Sequence, residues 1–329
     1  MKRPAEEDAP DQEEAEGGGD SASSDDGEQQ VPATGSSPPG QAPSKRKRHV
    51  QLSDGRIVSV KVRNHVNPLL PHFNKPVPVP FGGDWTKVFQ DLSKPMVLDI
   101  GCAKGRFCLE GAKLFPQFNW LGIEIREALT VRANEWAKEE NLSNLHYIFG
   151  NASGGMADFL ASMPKGLLQR VTVQCPDPLF KKKHQKRRMV NDKVVQELSV
   201  GLAPGGYVFV QSDVEQVAMQ MVDTIAANGN FDRVDRFADR APGQESSKQI
   251  APIARPHATM GKDFQDHNVA GGEWDHKGAG AVEGSYNWLA DNPIGLMSER
   301  ESSTLSRGLP MFRALFVRKE PEVAAKAAA

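Results

Sequence analysis

The sequence predicts an α/β fold built on a doubly wound, mostly parallel β-sheet with helices on both faces. Two observations lead to this prediction. From residue 95 onward, short apolar runs typical of strands alternate with longer stretches that have helical spacing. The alternation also has the length of strand–helix–strand units, which place their strands parallel in one sheet. We therefore expect a single α/β domain over residues 95–320.

The predicted elements follow from local patterns along the chain. Apolar runs bounded by Gly, Asp or Asn indicate strands, and apolar residues at helical spacing indicate helices. The run "RVTVQC" (170–175) is a candidate for a buried strand, and "NDKVVQELSVGLAPGG" (191–206) is a helix that Pro and Gly end. The predicted strands are 95–101, 119–125, 144–150, 170–175 and 207–213, and the predicted helices are 105–115, 127–140, 191–206 and 214–229. A further strand-like run ends the segment 292–319.

The segments around and within this domain differ in composition. Residues 1–49 are rich in Glu, Asp, Gly, Ser and Pro, so we expect a disordered acidic tail that buries too little apolar surface to fold. Residues 50–94 form a partly Pro-rich N-terminal arm, and residues 321–329 form a disordered C-terminus. Residues 240–285 have no clear period and predict a flexible insertion. The three histidines of the insertion match no metal motif, so we predict no metal site.

Charge is divided unevenly along the chain. Of the 40 basic and 42 acidic residues, 2 and 11 respectively lie in residues 1–44. The remaining body therefore has 38 basic and 31 acidic residues, a net charge of +7. A basic body favours a polyanionic partner such as a nucleic acid.

Signals for a cellular compartment are sparse. Three cysteines without a Cys-x-x-Cys pair indicate a reducing environment, and no apolar stretch approaches the roughly 18 residues of a membrane span. The start lacks the apolar core of a secretory signal, and its acidity is unlike a typical organellar transit peptide. The basic run "SKRKR" (44–48) is either a nuclear-localisation patch or an ordinary short basic run.

The first strand–turn–helix, "VLDIGCAKGRFCLEGA", predicts a ligand site. Gly101 and Gly105 form a G-x-x-x-G turn after the strand. A dinucleotide fingerprint needs G-x-G-x-x-G, and Ala103 occupies the place of its middle glycine, which disfavours a nicotinamide cofactor. Asp99, an acid just before the turn, suits the cationic end of a ligand better than a pyrophosphate.

Two further strand ends extend this site. Glu124 ends the second strand, where a carboxylate can accept hydrogen bonds from both hydroxyls of a ribose. Asn151 follows the third strand, where an adenine edge would lie. An amino-acid end, a ribose and an adenine together describe S-adenosylmethionine. The alternative is an ordinary tight turn with exposed acids.

The segment "CPDPLFKKKHQKRR" (175–188) places Asp177 between two prolines after the fourth strand. Proline fixes its own φ and restricts the residue before it, so the pair limits the orientations of the carboxylate. Six of the eight residues 181–188 are Lys or Arg. This run would line the same rim with positive charge for a phosphate backbone. The alternatives are a solvated charged face and a second nuclear signal.

Together these segments resemble the bacterial-type tRNA (guanine-N7)-methyltransferase family, and most of all its cyanobacterial and plastid members. The segments are "LDIGCAKGRF", "LGIEIR", "NLHYIFGNA", "PDPLFKKKHQKRR", "LAPGGYVFVQSDV", "SERE", "GLPMFRALF" and, in the arm, "VRNHVNPL". The resemblance covers about residues 60–320 apart from the insertion. It implies a class I S-adenosylmethionine-dependent methyltransferase fold, which is Rossmann-like. It also implies methyl transfer to N7 of the variable-loop guanine (position 46) of tRNA.

The resemblance further implies roles for single residues. Asp177 would be catalytic. The implied cofactor-binding residues are Asp99, Gly101, Gly105, Glu124, Asn151 and Asp177. The implied substrate-binding residues are Lys181, Asp213, Ser298 and Glu301, and those expected to hold the RNA backbone are Lys182, Lys183, Lys186, Arg187 and Arg188. Ala103, Cys175 and Ser298 replace a frequent Gly, Phe and Thr of the family.

Other functions remain open from the sequence. The chain could be a non-catalytic RNA-binding protein that kept the fold, or a methyltransferase that acts on another RNA; a nicotinamide oxidoreductase fits less well. We expect tRNA as the partner, no membrane association, no obligate protein partner, and a monomer or homodimer. The protein should be intracellular and soluble. The relatives suggest a plastid, whereas the acidic start and "KRKR" suggest nucleus or cytosol.

Overall fold

The structure is a computed structural model that describes residues 66–179, 186–238 and 286–321, and the backbone of two short strands before them. These strands are β1 (His49–Gln51) and β2 (Ile57–Ser59), which pair antiparallel. The residues outside the described part of the chain include 1–48 of the predicted tail, 180–185 at the start of the basic run, the predicted insertion at 240–285, and 322–329.

Seven strands of the described chain form one sheet. They are β3 (Met96–Ile100), β4 (Asn119–Glu124), β5 (Leu145–Phe149), β6 (Leu168–Gln174), β7 (Tyr207–Ser212), β8 (Phe231–Val234) and β9 (Phe312–Arg318). Their order across the sheet is β5-β4-β3-β6-β7-β9-β8, and β9 runs antiparallel to both of its neighbours while the other pairs are parallel. The chain moves outward from β3 to β5 and then returns to the other side of β3, so the strand order reverses there. The predicted doubly wound, mostly parallel sheet is therefore confirmed.

Helices cover both faces of this sheet. They are α1 (Arg106–Leu114), α2 (Glu127–Glu139), α3 (Ala157–Ala161), α4 (Asp192–Gly201), α5 (Glu215–Ala227) and α6 (Glu299–Leu305). Leu98 and Ile100 of β3 lie in a hydrophobic cluster with α3, α4 and α5, whereas Val97 lies in a second cluster with α1 and α2. Successive residues of a strand point to opposite faces, so both faces are buried, and this explains the nearly continuous apolar runs of the parallel strands. None of the described helices is long and apolar enough to cross a membrane.

The last part of the predicted arm belongs to the hydrophobic core. Val77, Trp85 and Phe89 are almost fully buried in the cluster that contains α3. The indole N–H of Trp85 donates to the hydroxyl of Ser162 at 3.2 Å, and this bond ties the arm to the end of α3. Packing therefore begins well before residue 95, where the sequence pattern placed the domain boundary.

Candidate active site

Four parallel strands end together at one edge of the sheet. Ile100 pairs in register with Ile123 on one side and with Val173 on the other, and Ile123 pairs in turn with Ile148. The residues that follow these strands therefore emerge at the same carboxyl edge, beside the point where the strand order reverses. Ligands bind at this place in open α/β sheets. The residues brought together there are Gly101, Glu124, Asn151 and Asp177.

The turn after β3 is left-handed at three positions. Gly101, Ala103 and Gly105 have φ values of 80°, 50° and 77°. A Cβ at Gly101 would lie 2.7 Å from the Met189 methyl group, and a Cβ at Gly105 would lie 2.5 Å from the Tyr147 ring. The left-handed conformation favours glycine at both positions, and at Gly105 the rigid Tyr147 ring also leaves no room for a side chain. Ala103 keeps the left-handed conformation without being glycine, at a cost of about 1–2 kcal/mol.

The buried carboxylate of Glu124 is surrounded by four hydrogen-bond donors. Its Oε2 accepts from the backbone N–H of Ala103 at 2.9 Å and from Arg126 Nη2 at 3.1 Å. Its Oε1 accepts from the backbone N–H of Arg126 at 3.0 Å and from Arg126 Nε at 2.8 Å. A carboxylate offers about four lone-pair sites, so these contacts use all of them.

The guanidinium of Arg126 lies within the field of two carboxylates. Burial opposes its charge, but hydrogen bonds to Glu124 and the negative charges of Glu124 and Asp177 raise the pKa of Arg126. The Arg126 side chain is 20% exposed, against 4% for Glu124. The guanidinium therefore covers the buried acid from the solvent side.

Asp99 lies deeper than the sequence analysis predicted. It accepts hydrogen bonds from Thr172 Oγ1 at 2.6 Å and from Gln174 Nε2 at 3.3 Å, and its Oδ2 lies 3.8 Å from Cys108 Sγ. Burial raises the pKa of Asp99 to about 6, although these hydrogen bonds act in the opposite direction. The sequence predicted contact with the cationic end of a ligand. In the structure, the hydrogen-bond partners of Asp99 belong to β6 and α1, below the turn.

Asn151 ties the arm to this edge. Its Nδ2 donates to the carbonyls of Pro68 at 3.1 Å and Phe73 at 3.2 Å. Its Oδ1 accepts from the N–H of Ser153 at 3.1 Å and from the Ser153 hydroxyl at 2.7 Å. The hydrogen-bonding capacity of the amide is thus used inside the chain. The predicted contact between this side chain and an adenine requires one of these bonds to be exchanged.

Asp177 is exposed, just beyond the end of β6. Cys175 and Leu179, on either side of it, have left-handed φ values of 47° and 45°. The N–H of Cys175 donates to the carbonyl of Gln211 at 2.8 Å, which anchors the start of this segment to β7. Non-glycine residues in this conformation are uncommon and concentrate at functional sites. These two residues restrict the backbone around Asp177 further, in addition to the restriction expected from the two prolines.

A buried polar network extends from this edge to α6. Gln174, which donates to Asp99, accepts from Gln211 Nε2 at 2.8 Å, and Gln211 Nε2 also donates to Glu301 Oε2 at 3.0 Å. Glu301 Oε1 accepts from Arg313 Nε at 3.1 Å and from Arg313 Nη2 at 2.8 Å. Gln211 and Glu301 are fully buried. The network links Asp99, which lies below the turn after β3, to α6, where the predicted substrate residues Ser298 and Glu301 lie.

Those two residues, Ser298 and Glu301, cap α6. The Ser298 hydroxyl accepts from the Glu301 N–H, and Glu301 Oε2 accepts from the Ser298 N–H, both at 3.3 Å, which forms a capping box. The same Oε2 accepts from Asn292 Nδ2 at 2.8 Å. A direct contact between the Glu301 carboxylate and a substrate therefore requires this network to open.

Asp213, the remaining described residue of the predicted substrate set, is less buried than Glu301. Its carboxylate accepts from Arg300 Nε at 2.7 Å and lies 2.5 Å from Arg300 Nη2.

Comparison with known proteins relates this site to a family. A family model described as "Putative methyltransferase" matches residues 93–260. The tRNA (guanine-N(7)-)-methyltransferase of Trichormus variabilis is 40% identical over 260 residues, which are 79% of this chain and 96% of that protein. The enzyme of the same name from Synechococcus elongatus is 38% identical over 80% of this chain and 99% of its own length.

The chain belongs to the tRNA (guanine-N7)-methyltransferase family.

Membership of this methyltransferase family confirms the resemblance found in the sequence. The Thermosynechococcus vestitus relative is 47% identical over 180 residues, 55% of this chain and 81% of that protein. Among solved structures, an aminoglycoside resistance methyltransferase aligns with 44% of this chain and 77% of its own at a TM-score of 0.34 and 18% identity. A similarity of that size carries no functional argument.

The basic segment of this family member is described only in part. Lys181, Lys182 and Lys183 lie outside the described residues. Lys186 is exposed, and the Nε atoms of Arg187 and Arg188 are buried without a hydrogen-bond partner among the described residues. Met189, the next residue, lies beside the turn after β3, because a Cβ added at Gly101 would be 2.7 Å from its methyl group. The described end of the basic segment therefore lies against the same sheet edge as Asp177.

Several polar residues of this site were not among the residues predicted from the sequence. Arg126 stands in the quoted segment "LGIEIR" but was assigned no role. Gln174 and Gln211 each interrupt the end of an apolar strand, in "VTVQC" and "VFVQSD". A large polar residue in a buried strand needs a hydrogen-bond partner, so this pattern was a usable signal of the network.

Proposed function

We propose that this protein transfers the methyl group of S-adenosylmethionine to N7 of the variable-loop guanine of tRNA. The observation that carries the proposal is the exposed Asp177 carboxylate, which left-handed residues constrain at the switch point of the sheet. It lies within the electrostatic reach of Arg126, which covers the Glu124 pocket. Family membership supports both the reaction and the substrate.

The residues at the sheet edge fit S-adenosylmethionine. When bound, this cofactor supplies an electrophilic methyl group on a sulfonium. Two of the four contacts of the Glu124 carboxylate come from the Arg126 side chain, so two acceptor sites become available to the two ribose hydroxyls if that side chain changes rotamer. Gly101 and Gly105 shape the turn beside the cofactor, and Asp99 supports that turn from below. Asn151 holds the arm beside this edge by donating a hydrogen bond to the carbonyl of Pro68.

The chemistry of the base determines what the protein must supply. Guanine N7 has an in-plane lone pair, so it attacks the methyl group without losing a proton first. Catalysis then depends mainly on alignment and electrostatics. We assign to Asp177 the stabilisation of the cationic product base, with Asp213 as a second acceptor for the base N–H groups. The guanine must leave its stack to reach this edge.

The RNA-holding and substrate roles follow from position and charge. Lys181, Lys182, Lys183, Lys186, Arg187 and Arg188 would bind phosphates, and the orphaned Nε atoms of the last two can donate to them. Ser298 and Glu301 fix the start of α6 through the capping box, and we assign them an indirect role in substrate binding. We further propose that the chain acts inside the cell, as a monomer or homodimer, without an obligate protein partner.

Methyl transfer by the purified single chain to unmodified tRNA, with the modified base identified, tests this proposal. Asp177→Asn should reduce turnover about 10²-fold or more, because the charge that stabilises the product base is lost. Its S-adenosylmethionine affinity and thermal stability should stay close to those of the wild type. The control is Asp232→Asn, which changes an exposed strand residue paired with Lys319. Near wild-type turnover by Asp177→Asn would remove this residue from the mechanism.

A further inference from the structure

The contacts of Glu124 divide into two classes. Two come from backbone N–H groups, those of Ala103 at 2.9 Å and Arg126 at 3.0 Å. The other two come from Nε and Nη2 of the Arg126 side chain, at 2.8 and 3.1 Å. The first class is fixed by the fold, and the second class can be exchanged by a change of rotamer. The number of exchangeable contacts equals the number of hydroxyls in a ribose diol.

We propose that the guanidinium of Arg126 occupies the ribose-diol positions on Glu124 in the cofactor-free protein, and that S-adenosylmethionine displaces it. This inference rests on the proposed function, because it takes Glu124 as the ribose acceptor. Arg126 is then a positioning residue: it touches the acid that holds the cofactor and competes with that cofactor.

The burial of the two partners explains the arrangement. A carboxylate that is only 4% exposed is strongly destabilised without donors, so the protein needs the guanidinium while no ribose is present. The Arg126 side chain is 20% exposed and lies nearer the surface than Glu124, so the guanidinium can leave without crossing the core. The two backbone donors stay in place throughout.

The displaced cation remains near a second acid. The negative charge of Asp177 already acts on Arg126, and Asp177 is exposed at the same edge. Cofactor binding thereby changes the position of a cation next to the proposed catalytic carboxylate. The protein is expected to bind cofactor before tRNA.

The test compares Arg126→Met with the wild type in calorimetric titrations with S-adenosylhomocysteine. Removing an internal competitor raises the apparent affinity for the ligand, so Arg126→Met should bind at least about fivefold more tightly. Its methyl-transfer turnover should fall, because the repositioned cation is lost. The matched control is Lys138→Met on α2, an exposed cation paired with Glu135, which should change neither quantity.

A second ligand tests whether the gain in affinity depends on the two ribose hydroxyls. For the 2′-deoxy analogue of S-adenosylhomocysteine, which offers one hydroxyl fewer, the gain in affinity of Arg126→Met over the wild type should shrink. Arg126→Lys, which keeps the charge but not the paired donors, gives an intermediate gain and serves if the Met variant does not fold. An unchanged or weakened affinity for S-adenosylhomocysteine in either variant would overturn the inference. Failure of the proposed function is a different result, in which the wild type neither binds S-adenosylhomocysteine nor methylates tRNA.

Discussion

Replacing Glu301 with Gln tests whether this residue contacts substrate or holds the site together. Its carboxylate is fully buried and accepts hydrogen bonds from Arg313, Gln211, Asn292 and the backbone of Ser298. The substitution keeps the shape but turns one acceptor oxygen into an NH₂ group among donors. It also leaves the guanidinium of Arg313, which is 4% exposed, without its negative partner.

The expected loss of stability is large. Removing one partner of a buried ion pair destabilises a fold by about 3–5 kcal/mol, because the other charge stays buried and uncompensated. In a domain of this size about 1 kcal/mol lowers the melting temperature by about 2–4 °C, so we expect a decrease of roughly 6–20 °C. The control is Glu299→Gln, two residues earlier, whose partly exposed pair with Arg106 should contribute about 1 kcal/mol or less.

Both variants would be measured by denaturant and thermal unfolding and by methyl transfer well below their melting temperatures. If Glu301 acts through structure, its loss of activity should accompany the loss of stability and should shrink at low temperature. A Glu301→Gln protein with wild-type stability and strongly reduced turnover would refute this reasoning. It would show that the carboxylate leaves the network to meet the substrate.

Three further perturbations test other parts of the site. Glu124→Ala should weaken binding of S-adenosylhomocysteine at least about tenfold, because hydrogen bonds to a charged acceptor contribute about 1.5–3 kcal/mol each; unchanged affinity by calorimetry would contradict the pocket. Replacing Arg187 and Arg188 together by Gln should lower the log–log salt slope of tRNA binding by roughly 1.4–1.8 if each holds one phosphate, and an unchanged slope would support a solvated face instead. Burial raises the pKa of Asp99 to about 6 in the folded state, so its stabilising contribution is complete below about pH 4 and is lost as the pH rises through 6. Asp99→Asn should therefore remove about 2 kcal/mol of the difference in unfolding free energy between pH 4 and pH 8, and equal pH dependence in both proteins would argue against a raised pKa of a buried Asp99.

Some elements were predictable and others were not. The five parallel strands were visible as nearly continuous apolar runs because both of their faces are covered, and the long helices showed helical spacing because only one face of each is buried. The elements α3, α6 and β8 have 5, 7 and 4 residues, which is too short for a period to show. The arm was predicted as a separate segment because its prolines interrupt any helical or strand period, yet Trp85 and Phe89 lie in the core.

The sequence by itself determined the fold class, the family and the edge of the sheet where the chemistry must lie. These depend on hydrophobic period and on short motifs, which are local properties of the chain. Only the tertiary structure decided what each acid at that edge contacts. Asp99 and Glu301 are buried in hydrogen-bond networks whose other members come from strands and helices distant in sequence. Glu124 is covered by the side chain of Arg126. Burial and hydrogen-bond satisfaction are properties of the packed chain, and no motif of a few residues contains them.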